Sequence, residues 1–246
     1  MSLLRGYSNL PVSASELLSH WDASNGITKD GSDYVSAWAD YEGANTLTQG
    51  TGASQPKWVN ASLNGYPIVR FDGINDSIAK TAEIAGNKRM NVFTGVIRLG
   101  TPAALTIPFY NSSGIIDLRY DTDLKFVFYG RSQIVYPPSP IQPANEWFVF
   151  SISWGRTNVD LAYTYLAGHK INVRPYAQDT YQPTVDFANL YVGGYNGTNY
   201  FGAVDVAYMQ YWHRDGVIDV AEIDALHEHL CQKYALNCID RTHSGY

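Results

Sequence analysis

Cysteine is scarce: Cys231 and Cys238 are the only two among 246 residues, both near the C-terminus. Two cysteines make no disulfide framework, and no His or Cys pair completes a zinc pattern with them. Two readings stay open, free thiols or a local bridge between Cys231 and Cys238. Basic runs are also missing. Lysine and arginine total 17 against 23 acidic residues, a net charge of −6, and no basic run exceeds Lys88-Arg89. That balance argues against nucleic acid as a partner. No stretch approaches the roughly 20 apolar residues of a membrane span, so membrane insertion is not expected. The opening Met-Ser-Leu-Leu-Arg-Gly-Tyr-Ser lacks the charged start, apolar run and cleavage site of a secretory signal.

What is present is apolar and aromatic. Hydrophobic residues make up 45% of the chain, with 19 Tyr, 6 Trp and 9 Phe, enough for a core and suited to sheet packing. Short β-type runs separated by Gly, Asn, Asp and Pro fill the middle of the chain. They include 35–38, 67–71, 91–98, 115–120, 124–129, 147–154, 161–166, 169–173, 190–192 and 203–212. Asp121-Thr-Asp123 and Ala167-Gly168 read as hairpin turns, and Asn64-Gly65 supplies the positive φ of another. Pro137 to Pro143 reads as a stiff surface connection. Ser13-Ala-Ser-Glu16 before Leu17-Leu18 has the form of a capping box and predicts a short turn of helix. A second helix is expected from Val220 to Tyr234, capped by Asp219. Val220, Ile223, Leu226, Leu230 and Tyr234 make its apolar stripe, with Glu222, Glu228 and Lys233 left in solvent. No internal repeat is visible, which argues against a propeller or solenoid.

Three groups of residues carry a resemblance. His20-Trp-Asp-Ala-Ser24 is followed by Val35-Ser-Ala-Trp-Ala-Asp40 and Gly43; Gln55-Pro-Lys-Trp is followed by Asn64-Gly-Tyr-Pro-Ile-Val-Arg-Phe-Asp-Gly-Ile-Asn-Asp76. Leu190-Tyr-Val-Gly-Gly194, Tyr200-Phe-Gly202 and Leu230-Cys-Gln-Lys-Tyr234 close the series. In this order they resemble the LamG-like, concanavalin A-like jelly-roll domains of bacterial surface proteins and phage particles. The resemblance implies an all-β antiparallel sandwich with one C-terminal helix over residues 20–236, an N-terminal arm at 1–19 and a tail at 237–246. At Ala203-Val-Asp205 the chain departs from the family's usual hydrophobic-Ala-Glu run.

Related folds include glycoside hydrolases, which place a pair of acids around the scissile bond. No strand here carries two acids two apart. Glu222, Asp224 and Glu228 fall on the helix, and Asp121 and Asp123 in a turn. There is no Gly-x-Ser-x-Gly elbow, and His227 and His229 point to diverging helix faces. The chain is therefore expected not to be an enzyme, and no cofactor is expected. Asp72, Asn75 and Asp76 offer the oxygens that calcium would need, although such turn residues also bond their own backbone. Tyr195, Asn196, Asn199 and Tyr200 have the content of a glycan-binding loop, rings to stack and amides for hydroxyls.

These readings lead to a non-enzymatic virion structural protein of a bacteriophage: a capsid decoration, head-fibre or tail-associated protein. It would be made in the host cytoplasm without a signal peptide. Its expected partners are other virion proteins, copies of itself and cell-surface glycans. The alternative is a lectin-like module of a secreted or surface protein, and a glycoside hydrolase is a third, weaker reading.

Overall fold

Runs rich in β-branched and aromatic residues become strands because such side chains pack well on a pleated surface. The computed structural model describes residues 12–236 apart from 14, 42, 85–87, 103, 112–116, 121–125, 131–132, 136–144, 156–162, 167–168, 172–188 and 196–198. The first strands are β1 (Leu17–Asp22), β2 (Ile27–Lys29), β3 (Val35–Trp38), β4 (Leu47–Thr48), β5 (Lys57–Leu63) and β6 (Tyr66–Asp72). β7 (Ile78–Lys80), β8 (Met90–Leu99), β9 (Thr106–Asn111), β10 (Asp117–Tyr120), β11 (Phe126–Gly130) and β12 (Gln133–Val135) come next. β13 (Trp147–Gly155), β14 (Tyr163–Leu166), β15 (His169–Ile171), β16 (Leu190–Val192) and β17 (Ala203–Arg214) precede the helix α1 (Val220–Lys233).

One sheet has eight strands in the order β15-β14-β13-β8-β17-β6-β5, with β1 paired to β17 beyond the reach of β6. The other has nine, β12-β11-β10-β9-β16-β7-β4-β3-β2. All of these pairings are antiparallel. The all-β jelly-roll sandwich with a C-terminal helix, expected from the sequence, is the architecture of the chain. Between the sheets lie Phe93, Ile97, Phe150, Met209 and Tyr211 from one side and Trp38, Phe109, Leu118, Leu190 and Val192 from the other.

The hairpins reflect local chemistry. Asn64 (φ 48°) and Gly65 (φ 92°) form the two-residue loop that sets Leu63 opposite Tyr66. Tyr120 pairs with Phe126 and Leu166 with His169, as the two other hairpins require, and the linking residues lie outside the described ones. The proline-rich connection, the tail and Cys238 also lie outside them; Cys231 is disulfide-bonded.

Two expectations change near the ends. Glu16 N–H does return to Ser13 O at 3.0 Å, and Ser13 N–H lies 3.4 Å from the Glu16 carboxylate. The residues beyond this turn form β1 rather than a helix, because Leu17–Asp22 is drawn out by pairing with β17. Residues 17–19, read as the end of an arm, therefore belong to the sheet. The helix is capped as expected: Ala221 N–H donates to Asp219 at 3.0 Å and Asp219 N–H to Glu222 at 3.1 Å. Glu228 is exposed, but Lys233 is not simply solvated. Its Nζ lies 2.5 Å from the buried Asp22 carboxylate, over the rings of Tyr208 and Tyr234.

Leu226, Leu230 and Tyr234 lay the helix on Ile68, Val96, Val149 and Tyr208, the outer face of the eight-stranded sheet. With the second sheet against its other face, β8 is buried without a break from Met90 to Ile97 and opens only at Arg98. No helix covers the outer face of the nine-stranded sheet among the described residues, and Thr28 and Thr48 on it are exposed.

Candidate functional site

That face has an ordered composition. Phe109 and Leu190 point into the core, so their neighbours Tyr110 and Tyr191 point outward by strand alternation. The register places them opposite each other and continues the row through Ala79, Thr48 and Ala37 to Thr28. Six strands at the usual spacing give a row about 24 Å long. All six residues are partly or fully exposed. The two tyrosines adjoin, small residues floor the side towards β2, and on the other side the register sets Asp117 of β10 opposite Tyr110.

The loop after β16 adds to the tyrosines. Tyr195 lies 4.2 Å from Tyr110 between ring centroids, Tyr110 6.1 Å from Tyr191, and Tyr200 6.1 Å from Tyr195, edge-on. Backbone bonds fix this loop. Tyr195 N–H donates to Asn199 O at 2.8 Å, Gly202 N–H to Gly193 O at 2.9 Å, and Gly193 N–H to Pro108 O at 2.9 Å. Ile107 N–H donates to Tyr200 O at 2.8 Å, tying the far limb to β9. Tyr200 is 50% exposed and Asn199 is exposed beside it. Of the four loop residues singled out from the sequence, Tyr195, Asn199 and Tyr200 come together here, and Asn196 lies outside the described residues.

Sequence reasoning misses Tyr110 and Tyr191. β9 is broken in sequence by Pro108, and proline within a run argues against an inner strand. Here Pro108 offers only its carbonyl, to Gly193. The signal that could have found the pair was the alternation of Ile107 and Phe109 around it.

Asp72, Asn75 and Asp76 form the adjoining turn. Asp72 Oδ1 accepts from the backbone N–H groups of Ile74 (2.8 Å), Asn75 (3.2 Å) and Asp76 (3.4 Å). Asp76 Oδ2 accepts from Asp72 N–H at 3.0 Å, and the Asn75 amide donates to Ala53 O at 2.8 Å. These oxygens serve the turn's own amides, which does not fit a calcium cage. Among the described residues no group of three His, Cys, Asp or Glu side chains is placed to hold a metal. Burial pushes the Asp76 carboxyl up to about 6, opposed by the Asp72 N–H and aided by the Asp72 charge.

A raised folded-state value means that stability falls as pH rises from about 4 to about 6. Asp76→Asn keeps an acceptor for Asp72 N–H without the charge. It is expected to stabilise the fold by about 2 kcal/mol at pH 7 and not at pH 4. Urea midpoints at the two pH values check this.

Other acids are engaged elsewhere. Asp22 holds Lys233 and accepts from Ser24 N–H at 2.8 Å, and Asp40 accepts from Asn45 N–H at 3.0 Å. The buried Asp205, which departs from the family pattern in sequence, is bonded by both Arg70 and Arg98. The helix histidines do diverge: His227 is fully buried, with Nε2 2.8 Å from Ser151 Oγ, while His229 is half-buried.

Chains of known structure share this sandwich. A sialidase of Trypanosoma rangeli in complex with sialic acid is 14% identical, with a TM-score of 0.63 over 90% of this chain and 34% of its own. The receptor-binding domain of botulinum neurotoxin mosaic serotype C/D is 9% identical, with a TM-score of 0.57 over 87% of this chain and 51% of its own. That of botulinum neurotoxin type G is 10% identical, with a TM-score of 0.52 over 87% of this chain and 51% of its own. This chain thus spans about a third of the sialidase and half of the neurotoxin domains, and the likeness is one of fold. No family model matches the sequence, and no curated protein does.

Proposed function

We propose that the chain is a non-enzymatic, LamG-like carbohydrate-binding module whose tyrosine-bearing outer face takes a neutral glycan chain. The observation behind this reading is the continuous row from Tyr110 to Thr28, with the rings of Tyr195 and Tyr200 gathered beside Tyr110. Tyrosine rings offer flat apolar faces to the C–H faces of sugars and keep a hydroxyl for hydrogen bonds. The small residues leave room for a chain to lie along the sheet. Among the described residues the buried acids are taken by ion pairs and turn amides, which supports a binding role over hydrolysis. The receptor-binding description of two structural neighbours supports a recognition role in the same direction.

On a virion, the setting that the sequence favours, this face would meet host glycans. On a secreted or surface protein it would meet the same chemistry.

The test is a titration of the purified chain with a panel of neutral oligosaccharides, repeated on Tyr110→Ala and Tyr195→Ala. Both rings are only half-buried, so the variants are expected to fold. Each is expected to weaken binding roughly tenfold or more. A blank panel, or variants that bind as well as the parent, would sink the proposal.

A further inference from the structure

The opposite sheet carries a second ordered row. Across the outer face of the eight-stranded sheet the register sets Lys57 beside Arg70, Arg70 beside Asp205, Asp205 beside Arg98 and Arg98 beside Trp147. This row lies one pleat beyond the apolar residues that α1 covers. Val59, Ile68, Val96 and Val149, under or beside the helix, are each two positions along from a member of the row. Trp147 packs against that covered cluster, and the side chains of Arg70 and Arg98 are 42% and 30% exposed while that of Asp205 is only 7%.

The cations are built in. Arg70 sets Nε and Nη2 on the two oxygens of Asp205, at 2.8 and 3.1 Å. Arg98 turns its own Nε and Nη2 onto Asp205 Oδ2, the first at 3.0 Å, and its guanidinium lies 5.4 Å from the Trp147 ring centroid. Each guanidinium uses one edge on the buried carboxylate and keeps Nη1 free of any bond among the described residues. Lys57 lies over the Tyr34 ring at 5.7 Å and has no ion pair among the described residues. Three cations thus share one acid on a chain whose net charge is −6. Asp205 is a positioning residue that draws two guanidiniums from strands on either side of it onto one carboxylate.

We propose that this row binds an acidic polysaccharide through carboxylate or sulfate groups, with Trp147 beside one sugar ring. A fork-shaped donor matches such oxyanions. A short row of cations, part-neutralised by Asp205, bordered by an apolar patch and backed by a net-negative chain, suits a sugar polymer with isolated oxyanions better than the dense phosphates of nucleic acid. This site is independent of the tyrosine face, so each can fail alone.

The experiment titrates the full chain with a sulfated heparin oligosaccharide, a carboxylated oligogalacturonate and a single-stranded DNA oligomer, at 50 and 200 mM salt. Binding of either sugar, weaker at the higher salt and roughly tenfold weaker in Lys57→Glu, is the expected result. Which sugar binds tells sulfate from carboxylate. Lys57 is exposed, so this variant is expected to fold, and an unchanged melting temperature confirms it. Arg98→Gln is expected to weaken binding as well, whereas Tyr110→Ala leaves it unchanged. The proposal is overturned if neither sugar binds, if Lys57→Glu has no effect, or if the DNA binds as tightly as the sugars.

Discussion

Lowering the pH from 7 to 4 is expected to cost the fold about 3 kcal/mol through His227 alone. The helix carries this imidazole into full burial against the eight-stranded sheet, where Nε2 sits 2.8 Å from Ser151 Oγ and Ser151 Oγ sits 2.7 Å from Thr94 Oγ1. Burial pushes its pKa down from 6.5 to about 3. Between those values the unfolded chain holds the proton and the folded chain refuses it. The stability is therefore fully present above pH 6.5 and drains away as the pH falls. His20 behaves in the same sense: burial holds it down at about 4, aided by the Lys233 charge and opposed by Asp22. Asp76 runs the other way and offsets part of the loss. The clean measurement is thus a difference. Urea unfolding of the parent and of His227→Asn at pH 7, 5 and 4 is expected to show the parent losing about 3 kcal/mol more than the variant. Parallel losses in the two proteins would mean that the imidazole does not titrate as argued.

The same histidine shows where reading the sequence stops. The three- and four-residue recurrence of Ile223, Leu226, Leu230 and Tyr234 marks the helix and its buried stripe, because that information is local. The place of His227 depends on Ser151 and Thr94, brought together by a cross-strand pairing 57 residues apart in the chain. Long apolar, aromatic-rich runs such as Trp147–Gly155 are legible for the same reason as the helix. Short strands such as β4 and β7 are not, since two or three residues carry no period. Both binding faces are products of register. Tyr110 meets Tyr191, and Arg70 meets Arg98 across Asp205, only after the strands have paired. The loop at Tyr195 is visible because its composition is local, but the tyrosine row it completes is not.

Gly193→Ala is expected to damage both the fold and the tyrosine face. Gly193 holds φ at 95°, a conformation open to glycine and costly to residues with a Cβ. It is also crowded: a Cβ there would fall on Phe71 Cδ1 and 2.5 Å from the Asp76 carbonyl oxygen. Phe71 is locked in the core, and Asp76 is held by its turn, so neither can yield cheaply. Backbone strain and overpacking together are expected to cost about 3 kcal/mol. Gly65 separates the two effects, since it has a similar φ of 92° and nothing within 4 Å of its would-be Cβ. Gly65→Ala is expected to cost only about 1 kcal/mol, from backbone strain alone. Chemical denaturation of both variants checks the contrast, and equal losses would refute the crowding argument. The consequence for binding comes from the bonds that Gly193 makes. Its N–H on Pro108 and its carbonyl on Gly202 hold the Tyr195 loop against β9, so shifting it parts Tyr195 from Tyr110. Gly193→Ala should therefore weaken neutral-glycan binding while leaving the cationic row on the other sheet at full strength.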